Sequence, residues 1–192
     1  MSNDAELSKA LSHALRHEPW LYELELDDEG WASLDAVLEA LKSQRDEWQD
    51  LLLLDLMRVV ESSSKRRHEI IEGRIRALYG HSVPGKLRHE LASPPSILLH
   101  GTSPEAATVI VRKGLLPLKR QYVHLSIDVA TAMEVARRKS KTPMLFEVEA
   151  QAAHKAGILF YVGNERVWLA DSVPARFLRI ATEARCQYGA IK

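Results

Sequence analysis

The sequence predicts an α+β protein in which a helical lobe ending in a β-hairpin precedes a lobe that mixes strands and helices. Up to residue 60, apolar residues recur at the spacing of helical faces, and beyond residue 67 short apolar runs of strand length become frequent. Between the two parts, residues 93–96 read Ser-Pro-Pro-Ser, a composition typical of linkers. We therefore predict a first lobe at residues 1–92, a second lobe at residues 97–180 and a tail at residues 181–192.

The first lobe contains three predicted helices. Helix one carries leucines and alanines on one face from Leu7 to Leu15 and is stopped by Pro19. Helix two follows an acidic turn, with Ser33 as its predicted cap and an inward face of leucine and valine. Helix three is predicted at residues 47–60, a strongly apolar stretch.

The end of the first lobe changes to strand periodicity. His68–Ile71 and residues 74–78 are predicted to be two strands joined by a turn at Glu72-Gly73. Three helices followed by such a hairpin form a winged-helix pattern, which contacts nucleic acid in some proteins and other proteins elsewhere.

The second lobe alternates between strands and helices. Ser103-Pro104-Glu105 is a strong helix start, because it combines a capping hydroxyl, a proline at the first helical position and an acid in the first turn. The predicted order is strand 97–100, helix Pro104–Lys113, strand 122–125, helix 129–139, and strands at Met144–Val148, 158–161, 167–169 and 177–180.

Charge is distributed unevenly along a chain whose net charge is zero. Residues 1–63 carry 5 Lys and Arg against 15 Asp and Glu, a net charge of −10, whereas residues 64–192 carry 21 against 11, a net charge of +10. The basic part is a candidate surface for phosphate or nucleic acid, although segregated charge on an ordinary folded surface explains the same numbers. With 46 % hydrophobic residues, the 192-residue chain has enough apolar material for a core.

The single cysteine and the short apolar runs indicate in which cellular compartment the protein is expected. Cys186 is the only cysteine, so no intramolecular disulfide and no cysteine–histidine zinc site is expected. The amino terminus is amphipathic and acidic and lacks the apolar core of a signal peptide, and no apolar run is long enough to span a bilayer. We expect a cytoplasmic protein without a membrane partner.

Basic residues in the first lobe have two explanations each. Arg16 and His17 end the first predicted helix, where cations interact favourably with the helix dipole, but an arginine there could also grip phosphate through its guanidinium fork. Lys65-Arg66-Arg67-His68 begins the hairpin, either as a solvated wing or as a phosphate contact. Because side chains alternate along a strand, at least one of these cations is expected to be surface only.

Polar motifs in the second lobe are weak when taken singly. His100-Gly101-Thr102 ends a predicted strand, where the glycine permits close backbone approach, but a polar strand-to-helix turn explains the motif equally well. His124 and Ser126 have the same parity and share one face of their strand. The chain contains neither a GxGxxG fingerprint nor a P-loop, so any dinucleotide would bind in another way.

Taken in order along the chain, these segments resemble one known family. The resemblance covers about residues 5–180, and its motifs read LSHALRHEP, DEGWASLDAVL, KRRH, RIRALYGHS, LLHGTS, RQYVHLS and GILFYVGNERVWLADSVPARFL. The chain resembles the RNA 2′-phosphotransferase family, in which a winged-helix lobe is joined to a lobe of the ADP-ribosyltransferase fold. The resemblance implies these two folds for the two predicted lobes.

The resemblance also implies a two-step reaction on RNA. An oxygen of an internal 2′-phosphate attacks C1″ of NAD and releases nicotinamide, which leaves phospho-ADP-ribosylated RNA. The 2″-hydroxyl then attacks phosphorus and yields RNA with a free 2′-hydroxyl and ADP-ribose 1″,2″-cyclic phosphate. The implied partners are RNA that bears the 2′-phosphate and NAD as co-substrate; no metal is required, and we expect a monomer. Because the attacking phosphate is already an anion, positioning and charge stabilisation should matter more than a strong base.

Site residues are implied by matching the family motifs to this chain. The family's catalytic tetrad falls on Arg16, His17, Arg67 and Arg120. Arg67 is chosen because the family pattern is lysine, any residue, arginine and usually an aromatic residue; a slip of one residue would select Arg66 instead. The arginines would grip the 2′-phosphate, and His17 would orient it or donate a proton. NAD contacts fall on His100, Gly101, Thr102, His124, Ser126 and Asn164.

Three segments differ from relatives or leave the alignment open. Many protein ADP-ribosyltransferases have a catalytic glutamate where this chain reads Glu147-Val148-Glu149, and Val148 is taken as the family-like position. A glutamate facing the nicotinamide ribose would instead indicate a different acceptor. Relatives usually have glutamine in place of Tyr79, and residues 135–140 lack glycines that relatives commonly have.

Two other functions are compatible with the sequence. One is an ADP-ribosyltransferase that stops after the first step and modifies a nucleic-acid terminal phosphate or a protein. The other is a winged-helix nucleic-acid binder without catalysis, which would bind RNA with or without a 2′-phosphate and would not consume NAD.

Overall fold

The computed structural model describes residues 4–181, and the chain divides into two compact units, Met1–Arg88 and His89–Lys192. Within the described range six α-helices and nine strands form, and the strands make two antiparallel sheets, which confirms the predicted mixed α and β class. Cys186 and all of the predicted tail except Ala181 lie outside the described residues. No helix between residues 4 and 181 is long and apolar enough to cross a membrane.

The helices of the first unit are α1 (Asp4–Arg16), α2 (Leu34–Gln44) and α3 (Leu53–Glu61). Each buries one leucine- or valine-bearing face in a shared core; in α3 the buried residues are Leu56 and Val59, whereas Leu54 is exposed. The Ser33 hydroxyl caps α2 as predicted, since it accepts a hydrogen bond from the Ala36 N–H at 3.4 Å.

The start of the third helix was predicted wrongly, because α3 begins at Leu53 rather than at residue 47. A 3₁₀ turn at Asp46–Trp48 takes the place of the predicted first turn and buries the Trp48 ring in the core, 2 % exposed. The Asp55 carboxylate accepts a hydrogen bond from the Leu52 N–H at 2.9 Å, which satisfies a backbone donor just before α3. The apolar run therefore serves two elements rather than one long helix.

A three-stranded antiparallel sheet completes the first unit. It contains β1 (Trp31–Ser33), β2 (His68–Ile71) and β3 (Arg74–Ala77), with β3 in the middle. The predicted hairpin is confirmed: β2 pairs with β3, and the turn residues Glu72 and Gly73 have φ of 48° and 73°, positive at both positions as in type I′ turns. β1 was not predicted, because three residues are too few to show a strand period.

The second unit is built on a six-stranded antiparallel sheet. Its strands are β4 (Leu98–Thr102), β5 (Val123–Ser126), β6 (Met144–Val148), β7 (Phe160–Val162), β8 (Val167–Ala170) and β9 (Leu178–Ile180). Their order in the sheet is β7-β8-β5-β4-β6-β9, so β4 and β5 are central. The six strands predicted for this unit are confirmed, with ends shifted by at most two residues.

Three helices accompany this sheet, α4 (Pro104–Lys113), α5 (Val129–Arg137) and α6 (Ala150–Lys155). The predicted cap of α4 is confirmed, since the Ser103 hydroxyl accepts a hydrogen bond from the Ala106 N–H at 3.3 Å. α6 was not predicted, because a short segment whose buried side chains are alanines carries little hydrophobic periodicity.

Candidate active site

Arg16 ends α1 and is buried, 9 % exposed, although it carries a charge. Its guanidinium lies over the ring of Tyr79, 5.2 Å from the ring centroid. Its Nη2 donates a hydrogen bond to the backbone carbonyl of Arg67 at 3.3 Å. Because burying a charge is costly without compensating contacts, these contacts hold the guanidinium in a defined place rather than on a solvated helix end.

His17, the next residue, is held by Ser82. The His17 Nδ1 and the Ser82 Oγ are hydrogen-bonded at 2.8 Å, and the Ser82 N–H donates to the Arg16 carbonyl at 2.8 Å. One serine therefore fixes both the helix end and the histidine ring. Neither Ser82 nor Tyr79 was predicted to support the tetrad; the available signal was their place in the motif RIRALYGHS.

The two candidate arginines before β2 differ in environment. Arg66 is exposed, whereas Arg67 is half-buried, with its Nη1 3.5 Å from the Ser63 Oγ. The Arg67 carbonyl also accepts a hydrogen bond from the Leu78 N–H at 2.8 Å, in addition to the one from Arg16. The backbone of Arg67 is therefore fixed beside the end of α1, and Arg66 has the exposure expected of a surface cation.

His68 is the buried neighbour of these arginines, 4 % exposed, with its Nε2 3.2 Å from the Ser12 Oγ of α1. Burial, and then the charges of Arg16, Arg67 and His81, lower the pKa of His68 from 6.5 to about 3. The ring is therefore neutral at pH 7. A neutral ring thus occupies the position where the family pattern has an aromatic residue.

Acidification is expected to destabilise the first unit through His68. Because its pKa is about 3 in the folded chain and 6.5 in the unfolded chain, protons bind preferentially to the unfolded state. This contribution to stability is complete above pH 6.5 and is lost progressively as the pH falls toward 3. Between pH 7 and pH 5 the free energy of unfolding should fall by about 2 kcal/mol from this residue.

Urea denaturation at pH 7 and pH 5 measures this loss. His68→Gln cannot titrate but keeps a hydrogen-bonding group toward Ser12, so it should remove about 2 kcal/mol of the difference between the two pH values. If the wild-type protein and His68→Gln lose the same stability on acidification, His68 is not the titrating group.

In the second unit, the two central strands separate at the predicted NAD-binding motifs. β4 pairs with β6 at five positions, but the pairing of β4 with β5 is confined to Leu99 opposite Ser126. Continuing that antiparallel register would place Gly101 opposite His124. The strands therefore diverge where His100-Gly101-Thr102 and His124 lie, and we call this place the β4–β5 divergence.

Two side chains bond to backbone carbonyls at the β4–β5 divergence. The His100 Nδ1 lies 2.9 Å from the His124 carbonyl oxygen, and the Lys139 Nζ donates to the Gly101 carbonyl at 3.2 Å. Because a carbonyl oxygen only accepts, the His100 Nδ1 carries the proton and its Nε2 has the lone pair. Burial lowers the pKa of His100 to about 4, so the ring is neutral at pH 7 and can accept a hydrogen bond from a hydroxyl group.

The glycine of the His100-Gly101-Thr102 motif has a packing role. A Cβ at position 101 would lie 2.1 Å from the carbonyl oxygen of Ala132 and 2.9 Å from the Cβ of Ala136, both in α5. Any side chain there would push α5 away from β4. The close backbone approach that the sequence predicts at Gly101 is therefore made by a helix, and the NAD contact of Gly101 stays a prediction.

Asn164 shapes the turn between β7 and β8. Its Oδ1 accepts hydrogen bonds from the N–H groups of Arg166 at 2.8 Å and Val167 at 2.7 Å, which is the pattern of an Asx turn. This local role accounts for the asparagine without a ligand, and the predicted NAD contact stays a prediction.

The segment Glu147-Val148-Glu149 is divided between core and surface. The Val148 side chain is fully buried in the core of the second unit. The Oε1 of Glu149 forms an ion pair with the Nη2 of Arg179 at 2.6 Å. Glu147 lies opposite Leu99 of β4 on one side and opposite Arg179 of β9 on the other. The Glu149 carboxylate is thus engaged by an edge strand of the sheet.

Arg120, the tetrad residue of the second unit, is exposed just before β5. Its N–H donates to the Pro117 carbonyl at 3.1 Å and closes a turn. Burial, and then the charge of Arg120, lower the pKa of Lys139. The structure thus brings Arg16, His17 and Arg67 together in the first unit, and Arg120 belongs to the second unit. Among residues 4–181, no group of three or more His, Cys, Asp or Glu side chains could hold a metal ion.

Comparison with known proteins identifies the family. The model of the RNA 2′-phosphotransferase, Tpt1 / KptA family matches residues 2–172. A Bacillus thuringiensis subsp. konkukian protein named "Probable RNA 2'-phosphotransferase" is 51 % identical over 174 residues, 91 % of this chain and 94 % of the relative. A protein of the same name from Acetivibrio thermocellus is 46 % identical over 91 % of this chain and 96 % of the relative. Another, from Fusobacterium nucleatum, is 37 % identical over 93 % of this chain and 99 % of the relative. The resemblance seen in the motifs is confirmed, and the chain belongs to the RNA 2′-phosphotransferase, Tpt1 / KptA family.

Proposed function

We propose that this protein removes an internal 2′-phosphate from RNA and transfers it to the ADP-ribose part of NAD. The products would be RNA with a free 2′-hydroxyl, nicotinamide and ADP-ribose 1″,2″-cyclic phosphate, by way of phospho-ADP-ribosylated RNA. The observation that carries the proposal is the pair Arg16 and Arg67, two arginines of one unit joined by a side chain-to-backbone hydrogen bond. Family membership supports RNA 2′-phosphate as the group that is transferred.

The first unit supplies fixed cations for the phosphate. Arg16 is held by Tyr79 and by the Arg67 carbonyl, so little reorganisation is needed when negative charge spreads over the phosphoryl oxygens. His17 is tied to Ser82 through its Nδ1, and a ring fixed in this way would orient the phosphate or donate a proton to the departing 2′-oxygen of RNA. The family resemblance implies Arg120 as a further ligand of the phosphate.

The β4–β5 divergence supports NAD as the co-substrate. When bound, NAD would supply an electrophilic C1″ and a 2″-hydroxyl that takes the phosphoryl group. The neutral His100 ring suits the recognition of a ribose, because its Nε2 accepts a hydrogen bond from a hydroxyl without bringing a charge. His124 and the buried Ser126 lie on the neighbouring strand at the same level of the sheet.

The proposal predicts a defined set of products. The protein is incubated with NAD and an oligonucleotide that bears one internal 2′-phosphate, and the products are identified by mass spectrometry. Release of nicotinamide together with ADP-ribose cyclic phosphate and 2′-hydroxyl RNA is the expected result. The same oligonucleotide with a 2′-hydroxyl, and one with only a terminal phosphate, are the matched controls and should leave NAD intact.

Other outcomes identify the alternatives. A stable ADP-ribosylated product, without cyclic phosphate, would show that the reaction stops after the first step. Equal binding of the 2′-phosphorylated and the 2′-hydroxyl oligonucleotide, without consumption of NAD, would indicate a nucleic-acid binder that has no catalytic activity.

A further inference from the structure

Ser82 is an exposed serine that lies between two buried residues. His81 before it is 2 % exposed and Val83 after it is 8 % exposed, so the backbone is anchored on both sides of the serine. The Ser82 side chain is therefore presented to solvent from a fixed position beside the end of α1, where Arg16 and His17 lie.

The main chain and the side chain of Ser82 make two different contacts. Its N–H donates to the Arg16 carbonyl at 2.8 Å, and the carbonyls of the last helical turn have no partner inside the helix. Its Oγ lies 2.8 Å from the Nδ1 of His17. A substitution of the side chain therefore removes the contact with the histidine ring and keeps the contact with the helix end.

A hydroxyl group is a suitable partner for a histidine whose protonation changes. It can donate a hydrogen bond to an unprotonated ring nitrogen and can accept one from a protonated ring nitrogen. A carboxylate can only accept, and its charge would also favour the protonated ring. The bond between Ser82 and His17 can thus persist when the ring gains or loses a proton, and the hydroxyl itself adds no charge that favours one state.

We propose that Ser82 is a positioning residue for His17 and that its hydroxyl keeps the imidazole ring in one orientation during the reaction. The inference rests on the proposed function, in which His17 orients the phosphate or donates a proton. Because the bond is exposed, water competes with it in the free protein, and its contribution to stability should be small. RNA bound over the site would exclude this water and strengthen the bond where orientation matters.

Kinetics of three serine variants test this role. With a 2′-phosphorylated RNA, Ser82→Ala should lower kcat by about tenfold, the effect of one lost hydrogen bond, and should leave KM within about twofold of wild type. Ser82→Thr keeps a hydroxyl and should restore kcat to within about threefold of wild type. Ser43→Ala is the matched control, because it removes another exposed serine hydroxyl of the same unit, one that donates to the Ala40 carbonyl. A folded Ser82→Ala protein with wild-type kcat overturns the proposal.

Single-turnover rates of Ser82→Ala, His17→Ala and the double variant distinguish a positioning residue from a group that acts on the substrate itself. If Ser82 acts through His17, Ser82→Ala should change the rate by no more than about twofold once residue 17 is alanine. A further loss of about tenfold in the His17→Ala background would show that Ser82 acts independently and would overturn the proposal. If Ser82→Ala does not fold, Ser82→Cys takes its place in the cycle, since a thiol is only a weak hydrogen-bonding group.

A spectroscopic measurement needs neither NAD nor RNA. Nitrogen NMR spectra of the imidazole rings are recorded, with the His17 signals assigned by their loss in His17→Gln. The chemical shift of the His17 Nδ1 should change in Ser82→Ala and stay near the wild-type value in Ser82→Thr and Ser43→Ala. Identical His17 signals in the wild-type protein and in Ser82→Ala overturn the proposal. A wild-type protein that shows the expected change on substitution but consumes no NAD would refute the proposed function, and the bond between Ser82 and the ring would stand.

Discussion

Replacing Arg16 by alanine is expected to lower kcat/KM for a 2′-phosphorylated RNA by about 10³ or more, while the protein stays folded. Arg16 is firmly held, because it is buried, stacked on Tyr79 and bonded to the Arg67 carbonyl. A cation positioned in this way can stabilise spreading negative charge in the transition state without first having to move. Removing it takes away an interaction that solvent cannot replace.

Two further variants make this result specific. Arg58→Ala removes an arginine of the same unit that is 52 % exposed and pairs with Asp4 and Asp55, so its rate should stay within about twofold of wild type. Arg16→Lys keeps the charge but loses the two-pronged donor and the stacking on Tyr79, so its activity should lie between the wild-type and Arg16→Ala values.

The measurements are initial rates with saturating NAD, and circular dichroism with thermal unfolding checks the fold. A folded Arg16→Ala protein with wild-type rates would remove Arg16 from the phosphate site. Arg16 would then be only a cation at the carboxyl end of a helix, where it interacts with the helix dipole. If Arg16→Ala does not fold, Arg16→Lys decides the question, because the structural explanation predicts full activity for it.

The elements that were predicted correctly have local signals. Ser33 and Ser103 cap helices whose first turns follow directly in the sequence, and each bonds to an N–H three residues later. Glu72-Gly73 encodes the hairpin turn with two adjacent residues. Where a signal failed, a tertiary contact outweighed it: the apolar run at residues 47–60 fits one helical face, but burial of the Trp48 ring divides the run.

The supports of the candidate site could not be read from the sequence, because the partners are far apart in the chain. Ser82 bonds to a histidine 65 positions earlier, and Lys139 bonds to a carbonyl 38 positions earlier. A hydroxyl or an ammonium in a sequence does not reveal which distant group it will contact. Gly101 shows a related limit, since the sequence indicates that something approaches the backbone closely, but the structure shows that a helix does so.

The pair of variants Arg67→Ala and Arg66→Ala is expected to give opposite results. Arg67→Ala should lower kcat/KM for the 2′-phosphorylated RNA by about 10² to 10³, because it removes the guanidinium of a half-buried arginine whose backbone is bonded to Arg16. Arg66→Ala should change it by no more than about threefold, because Arg66 is exposed and its charge is screened by solvent.

The chemistry of the contact makes Arg67→Ala a clean test. Arg16 bonds to the backbone carbonyl of residue 67, and alanine retains that carbonyl, so the position of Arg16 should be preserved. The Leu78 N–H also bonds to this carbonyl, so the attachment to the strand should be preserved as well. The loss of rate would therefore report on the Arg67 guanidinium itself.

Rates with the 2′-phosphorylated RNA and affinities for its 2′-hydroxyl counterpart distinguish the two arginines further. A surface cation that contacts the RNA backbone weakens binding of both RNAs equally when it is removed, and the effect shrinks as salt is added. Removal of a residue that binds the 2′-phosphate lowers the rate and leaves the affinity for the unphosphorylated RNA unchanged. If Arg66→Ala lowers only the rate and Arg67→Ala weakens binding of both RNAs, the tetrad is displaced by one residue. The phosphate site then uses the exposed Arg66 before β2 rather than Arg67, whose carbonyl is bonded to Arg16 at the end of α1.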